Sequence, residues 1–333
     1  MSLVRAESHD RRRSMLRTAM GAAIEAALSD PLTVEVMVNP DGRLWVDRLG
    51  EGRRDTGEIL PPTDVERIIR LVASHVRTEV HAEAPIVSGE LPTRGSELVG
   101  ERFEGGLPPI APGPYFSIRK PATKIWRLGE YVASGAMTPF QAERLCEAVA
   151  ARENILIAGA TMSGKTTLAN ALLAEIAGFD ERVILLQDTS ELQCAVADCV
   201  PLRTQPGFVD LAALVRSTLR LRPDRIVVGE VRGGEALDLL KAWNTGHPGG
   251  LATVHANSAR SALYRLEQLV QEAVAVVPRR LIAEAIDLVV FIRGRGTSRC
   301  VETLVRVTGL DPNGDYQLAD LDPPQLKVLR GDS

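Results

Sequence analysis

Apolar residues recur at helical spacing from about Ser14 to Leu28, and the Asp30-Pro31 pair then breaks the pattern. From Leu32 to Val38 apolar and polar residues alternate, Asn39-Pro40-Asp41-Gly42 is turn chemistry, and the alternation returns from Arg43 to Asp47. That sequence predicts a β-hairpin. A helical period resumes from Thr63 to Val76, with Thr63 as the expected cap. Between Ala84 and Pro121 proline and glycine crowd the chain, most densely at Leu107-Pro108-Pro109 and Ala111-Pro112-Gly113-Pro114, so no helix can persist there. Phe116 to Arg119 reads as a last short strand before a linker.

The second half has another rhythm. Short apolar strands at Ile155 to Ala158, Val183 to Leu186 and Ile226 to Gly229 alternate with helical stretches at Thr166 to Ile176 and Leu211 to Leu221. Repeated βα units bury their strands on both faces, which predicts an α/β domain built on a parallel sheet. The expected division is an α+β domain over 1–120, a linker over 121–137 and the α/β domain over 138–333.

Composition narrows the functional classes. The chain has 333 residues, 45% of them hydrophobic, which suits two domains of ordinary size. Its formal net charge of −4 and 4% aromatic content supply neither the basic surface nor the stacking platforms of a nucleic-acid binder, so direct nucleic-acid binding is not expected. Cys146, Cys194, Cys199 and Cys300 lack metal-ligand spacing and read as buried thiols of a reducing compartment. No apolar run approaches the ~20 residues of a membrane span, and a cytoplasmic location is expected. Arg5, Arg11, Arg12, Arg13 and Arg17, set against Glu7 and Asp10, suit a solvated helix face or an anionic membrane surface.

The strongest chemical signal is Gly159-Ala160-Thr161-Met162-Ser163-Gly164-Lys165-Thr166, followed by Thr167, directly after the apolar strand and opening a helix. This is a Walker A loop in its required context. Its glycines let the backbone wrap phosphate oxygens, the helix N-terminus adds positive potential, Lys165 reaches the β- and γ-phosphates of ATP, and the Thr166 hydroxyl ligates Mg²⁺. A chance match is the alternative, and the strand before and helix after argue against it. A second signal is Arg225-Ile226-Val227-Val228-Gly229-Glu230, a buried strand ending in a carboxylate. Alone it would be a strand end; beside a Walker A loop, Glu230 is the candidate general base for the attacking water.

With these two motifs stand Gln187-Asp188-Thr189-Ser190-Glu191-Leu192 and the run Gly246-His247-Pro248-Gly249-Gly250-Leu251-Ala252-Thr253-Val254-His255-Ala256-Asn257. Walker A loop, Asp box, Walker B strand and His box in this order resemble the traffic ATPases of the type II/type IV secretion superfamily, in the conjugal-transfer branch of TrbB type. The similarity extends to Leu219-Arg220-Leu221-Arg222-Pro223-Asp224-Arg225 and to the stretch from Pro31 to Asp47, and covers roughly Leu16 to Thr308.

The resemblance implies a RecA-like P-loop domain preceded by a smaller α+β domain, a homohexameric ring, and ATP held between the two domains. It implies that Arg102 and Arg119 bring guanidinium groups from the first domain to the phosphates, forks suited to spread phosphoryl charge; a surface arginine without a ligand is the alternative for each. Asp188 and Glu230 are implied partners of Mg²⁺ through water. His255 is implied to lie near the γ-phosphate and link nucleotide state to domain movement, where the residue alone would read as a satisfied buried histidine. His247, in its glycine-rich turn, reads as structural. Arg220 and Arg222 serve either a neighbouring subunit's nucleotide or a salt bridge inside the fold. Relatives of this kind usually carry glutamate where this chain has Gln187, which implies weakened metal affinity unless Glu191 and Asp188 compensate or Gln187 packs outward and does nothing. The implied partners are other subunits of a conjugation or secretion channel at the inner membrane, with this chain peripheral at its cytoplasmic face. A nucleic-acid translocase and a nucleotide-dependent scaffold with little turnover are the competing functional readings.

Overall fold

A computed structural model describes residues 2–93, 100–121, 125–205 and 207–322. The chain divides into two units, residues 1–122 and 123–333. The side chains of the basic stretch at 5–13, residues 122–124 of the expected linker, and residues 323–333 lie outside the described set.

In the first unit, α1 (Ser2–Ser29) places Leu16, Met20, Ile24 and Leu28 four residues apart, and all are buried on one face. Gly21 interrupts it with a φ of 73°. The predicted hairpin forms as β1 (Thr33–Val38) and β2 (Arg43–Arg48), paired antiparallel. Its turn needs Gly42, whose φ is 82° and where a Cβ would run into the Leu60 carbonyl. Next come β3 (Gly52–Ile59), α2 (Pro62–Val76), β4 (Ile86–Glu90), β5 (Arg102–Gly106) and β6 (Tyr115–Arg119). The strands make one antiparallel sheet in the order β3-β2-β1-β6-β5-β4. Ile68, Ile69 and Val72 of α2 join the α1 stripe and the Phe103–Phe116 stack in a single core. Thr63 is not the cap of α2: Pro61 holds that position without a side-chain hydrogen bond, because Pro62 already supplies the preset φ of a first helical residue.

The second unit opens with α3 (Leu128–Ala133) and α4 (Pro139–Ala150). Segment 121–137 is therefore not linker throughout, since Leu128, Tyr131 and Met137 are buried in the second unit's core. The chain continues through β7 (Ile155–Gly159), α5 (Lys165–Ile176), β8 (Val183–Gln187), β9 (Cys199–Arg203), α6 (Leu211–Thr218) and β10 (Arg225–Val228). It ends with α7 (Glu235–Asn244), β11 (Leu251–His255), α8 (Ala259–Gln271), α9 (Arg279–Ala285), β12 (Leu288–Arg293), β13 (Cys300–Leu310) and β14 (Tyr316–Asp320).

The sheet order is β14-β13-β12-β7-β11-β10-β8-β9, parallel from β12 to β9 and antiparallel at β13 and β14. Strand β7 shows why its sequence is apolar throughout. Leu156 and Ala158 face a core shared with α6–α9, while Ile155 and Ile157 face the one shared with α3–α5. Each fully buried Leu or Ile of this kind stabilises the fold by roughly 1.5–3 kcal/mol. The parallel strands β7, β8, β10 and β11 end together, and the loops at their C-terminal edge are where open α/β sheets hold ligands.

At the opposite end, the first residue of β10 is a fully buried arginine. Arg225 pairs with Glu181, donates to the carbonyls of Val149 (2.9 Å) and Gly249 (3.3 Å), and lies over the Phe179 ring. The cysteines are not the buried thiols expected: Cys146 is exposed, the other three are half-buried, and all are free. Among the described residues no helix is long and apolar enough to cross a membrane.

Candidate nucleotide site

The Walker A segment joins the end of β7 to the start of α5. Gly164 takes a φ of 95° and Met162 one of 65°, left-handed conformations that wrap the loop back on itself. Such a conformation costs a non-glycine residue about 1–2 kcal/mol, and a loop that keeps one is holding a shape for a reason. Gly159 is equally constrained, since a Cβ there would stand 2.5 Å from Ser163 Oγ and 2.6 Å from the Ile292 carbonyl. Ser163 is buried and its Oγ has no hydrogen-bond partner, a donor that a phosphate oxygen can satisfy.

Lys165 is buried, and its ammonium donates to the carbonyls of Gly159 (3.1 Å) and Ala160 (3.0 Å). It also lies 3.1 Å from Nδ1 of His255, the last residue of β11. Glu230, two residues past β10, stands 2.8 Å from His255 Nε2. Three side chains from the Walker A, Walker B and His-box motifs thus form one chain of contacts. Pairing of β11 with both β7 and β10 brings them there, and Thr253 Oγ1 fixes the turn before Glu230 by donating to the Gly229 carbonyl (2.7 Å).

Arg232 was not singled out in the sequence. It donates to Glu230 at 2.7 Å and lies 3.6 Å from Asp188. Its signal was available, because residues two apart in an extended segment share a face. Burial alone pushes the Glu230 carboxyl up, but the hydrogen bond and charge of Arg232, then His255 and Lys165, more than reverse this and hold it below the ordinary carboxylate value. Burial and the Lys165 charge push His255 down, against the opposite pull of Glu230.

The Asp box closes the other side. Thr166 Oγ1 donates to Glu191 (3.3 Å), Thr204 donates to Asp188 (3.0 Å), and Asp188, Glu191, Glu230 and Arg232 line one pocket with Thr166. Gln187 lines the same pocket. Gln187 is buried, and its Oε1 accepts from the backbone N–H of Glu191 and of Leu192, both at 3.0 Å, so the oxygen is committed to shaping the loop. Among the described residues no group of three or more His, Cys, Asp or Glu side chains is arranged to hold a metal.

Ala160 and Thr161 are exposed at the loop's tip, while Thr167 is half-buried in the first turn of α5. Arg102 and Arg119 stand directly opposite each other on β5 and β6 of the first unit. The internal salt bridge weighed for Arg220 and Arg222 is not there: both are exposed, and among the described residues neither forms an ion pair, because they ride on the turn after α6. His247 Nδ1 lies 3.1 Å from the Pro223 carbonyl, a turn-fixing contact.

Fold and site together define a P-loop nucleotide-binding protein with a RecA-like domain preceded by a smaller α+β domain. The chain belongs to the type II/IV secretion system protein family, whose profile matches residues 24–311. It is similar to the conjugal transfer protein TrbB of Rhizobium radiobacter, 49% identical over 312 residues that span 93% of this chain and 94% of that protein. It is also similar to the type IV secretion system protein PtlH of Bordetella pertussis, 34% identical over 318 residues, 84% of this chain and 91% of that protein. Among solved structures, the pilus retraction motor PilT with bound ADP aligns with a TM-score of 0.60 at 19% identity, covering 92% of this chain and 84% of that one, a likeness of fold alone.

Proposed function

We propose that this chain is an ATP-hydrolysing motor of a bacterial conjugation or type IV secretion system. It works as a homohexameric ring at the cytoplasmic face of the inner membrane, with channel subunits as partners, and nucleotide-dependent domain motion drives pilus assembly or substrate transfer. The observation that carries this reading is the contact chain Lys165–His255–Glu230, which ties the phosphate-binding lysine to the candidate base. Similarity to proteins named for conjugal transfer and type IV secretion supplies the machine by analogy.

In this reading the Walker A backbone and Lys165 hold the β- and γ-phosphates, and Glu230 accepts the proton of the attacking water. A carboxylate held ionised suits a loose transition state, in which the water becomes acidic only as it attacks. Mg²⁺ would be held by the Thr166 hydroxyl, phosphate oxygens and waters bound to Asp188 and Glu230, and would neutralise charge developing on the β- and γ-oxygens. Lys165 turns from His255 to phosphate when nucleotide arrives, so the histidine reports occupancy to Glu230.

The test is steady-state ATP turnover of the parent and Lys165→Ala proteins, with light scattering in ATP and Mg²⁺. Turnover that Lys165→Ala abolishes, in a particle of six chains, supports the motor. Wild-type turnover in a folded Lys165→Ala protein ends the P-loop reading, and monomers at high concentration end the ring. Stimulation by single-stranded DNA would favour a translocase, and binding without turnover a scaffold.

A further inference from the structure

The wall of the phosphate-binding loop facing β12 is built by residues that no motif includes. Strand β12 runs parallel to β7 with Ile292 level with Gly159, and the Ile292 carbonyl is what a Cβ at Gly159 would strike. The chain then folds sharply back. Gly294 has a φ of 84°, and a Cβ there would run into the Ser298 carbonyl. Val301 N–H donates to the Ala136 carbonyl (2.7 Å) and pins the start of β13. This turn lays the side chain of Arg299 on the Walker A loop: a Cβ at Gly164 would stand 2.6 Å from both Cζ and Nε of Arg299.

A second, independent observation concerns what Arg299 lacks. Its Nε is buried and has no hydrogen-bond partner. The hydroxyl of Tyr131, close enough for the Arg299 charge to act on it, is buried and unpartnered too. Buried donors without acceptors are uncommon, and each asks for a strain, ion or ligand that explains it. Here the missing acceptors lie beside a loop whose backbone is shaped for phosphate. The guanidinium is a permanent cation with donors in a fixed fork, the group best suited to phosphate oxygens.

We propose that Arg299 is a further nucleotide-binding residue, a cation supplied in cis that holds the polyphosphate of ATP from the β12–β13 side of the Walker A loop. The inference rests on the ATPase reading above and adds a residue to the same site. A charge seated against Gly164 acts on bound phosphate over a few ångströms of half-buried site, where losing it weakens binding by about tenfold or more. The role is in binding and positioning, and proton transfer stays with Glu230.

The experiment compares Arg299→Lys with Arg299→Met, side chains of similar length that differ in charge, by calorimetric titration of each unliganded protein with ATP and with ADP. The expected result is an Arg299→Met protein that binds ATP about tenfold or more weakly, with a smaller loss for ADP, and an Arg299→Lys protein that recovers most of the affinity. Equal loss in both variants, or parental affinity in Arg299→Met, overturns the proposal, because packing against Gly164 does not depend on charge. Should Arg299→Met fail to fold, the parent decides the matter: phenylglyoxal should modify Arg299 in the unliganded protein and be blocked by ATP but not by adenosine, and modification unaffected by ATP overturns it. Lys165→Ala is the control. If the parent binds no ATP, the ATPase reading has failed; if it binds in a Lys165-dependent way and Arg299→Met matches it, only this inference has.

Discussion

Lys165 Nζ stands 3.1 Å from His255 Nδ1, and an ammonium has donors only, so Nδ1 accepts and the single ring proton sits on Nε2. That proton points at Glu230, 2.8 Å away, so the proposed relay would use a neutral imidazole. The folded pKa of His255 lies below its ordinary value near 6.5, through burial first and Lys165 second. Because the folded value is depressed, the stability and the relay of the neutral ring are complete above about pH 6.5 and are lost as pH falls through the folded value. The kcat/KM for ATP, which reports the unliganded protein in which Lys165 faces His255, should therefore show an acid limb below that point. His255→Gln, which keeps a donor toward Glu230 but cannot titrate, should lower kcat and remove the limb. An unchanged limb in that variant would assign it to another group.

Glu230→Gln should bind ATP as the parent does, since carboxamide and carboxylate are nearly isosteric, while hydrolysis falls by roughly two to four orders of magnitude. Nucleotide binding and single-turnover hydrolysis measured on one preparation check both halves. Hydrolysis at the parental rate would place the base elsewhere.

Arg232 is the largest influence lowering the Glu230 pKa, and it also faces Asp188. Arg232→Ala should leave ATP affinity unchanged and reduce kcat by about tenfold, because the carboxylate loses the partner that aims it. The separation of kcat from nucleotide affinity is the diagnostic. Matched losses in both would mean that Arg232 touches nucleotide directly.

The αβ alternation and the Walker A loop were legible because both rest on patterns local in sequence: apolar runs bounded by turns, and glycines before Lys165-Thr166. β3 was not, because all eight of its residues are exposed and no alternation marks them; β2 holds it, by backbone pairing, the Arg43–Asp55 ion pair and the Thr56 hydroxyl on the Leu44 carbonyl. β4 and β5 hid in the glycine- and proline-rich stretch, where the pairing partner β6 decides the conformation. Arg299 carried no signal beyond charge, since an isolated arginine usually means solvent, and Arg232 offered only its place two residues after Glu230. Arg225 was legible only as the opening residue of a buried strand, and the sheet shows that its position is closed off by Glu181 and two carbonyls.

Arg225→Ala should destabilise the second unit by about 3–5 kcal/mol, the cost of breaking a buried pair and stranding its acceptors. Among the described residues Glu181 would keep the Arg152 ion pair, 2.9 Å away. Urea unfolding should move to a lower midpoint with an unchanged m value. Turnover per folded molecule should hold at moderate temperature, because Arg225 begins β10 and Glu230 follows its other end. A catalytic loss without a stability loss would contradict this assignment.

Gln187 occupies a position where a carboxylate is the expected neighbour of the metal, and its geometry gives a different forecast. Its Oε1 holds the N–H groups of Glu191 and Leu192, and the loop so shaped presents Glu191 to the Thr166 hydroxyl. Gln187→Ala strands those donors, a cost of about 1–3 kcal/mol. It should also loosen Glu191 and raise the Mg²⁺ concentration needed for half-maximal turnover. Gln187→Glu keeps both acceptor bonds and strengthens them with charge. The added charge is buried beside Asp188 and Glu191, and the repulsion and desolvation it meets there offset its attraction for the ion. The Mg²⁺ midpoint of Gln187→Glu should therefore stay within about twofold of the parent, against the roughly fivefold gain expected of a carboxylate that faces the metal. Titrating Mg²⁺ against turnover in all three proteins separates the cases. A large gain in Gln187→Glu would return position 187 to the metal site, and three superimposable curves would remove it from the loop's design altogether.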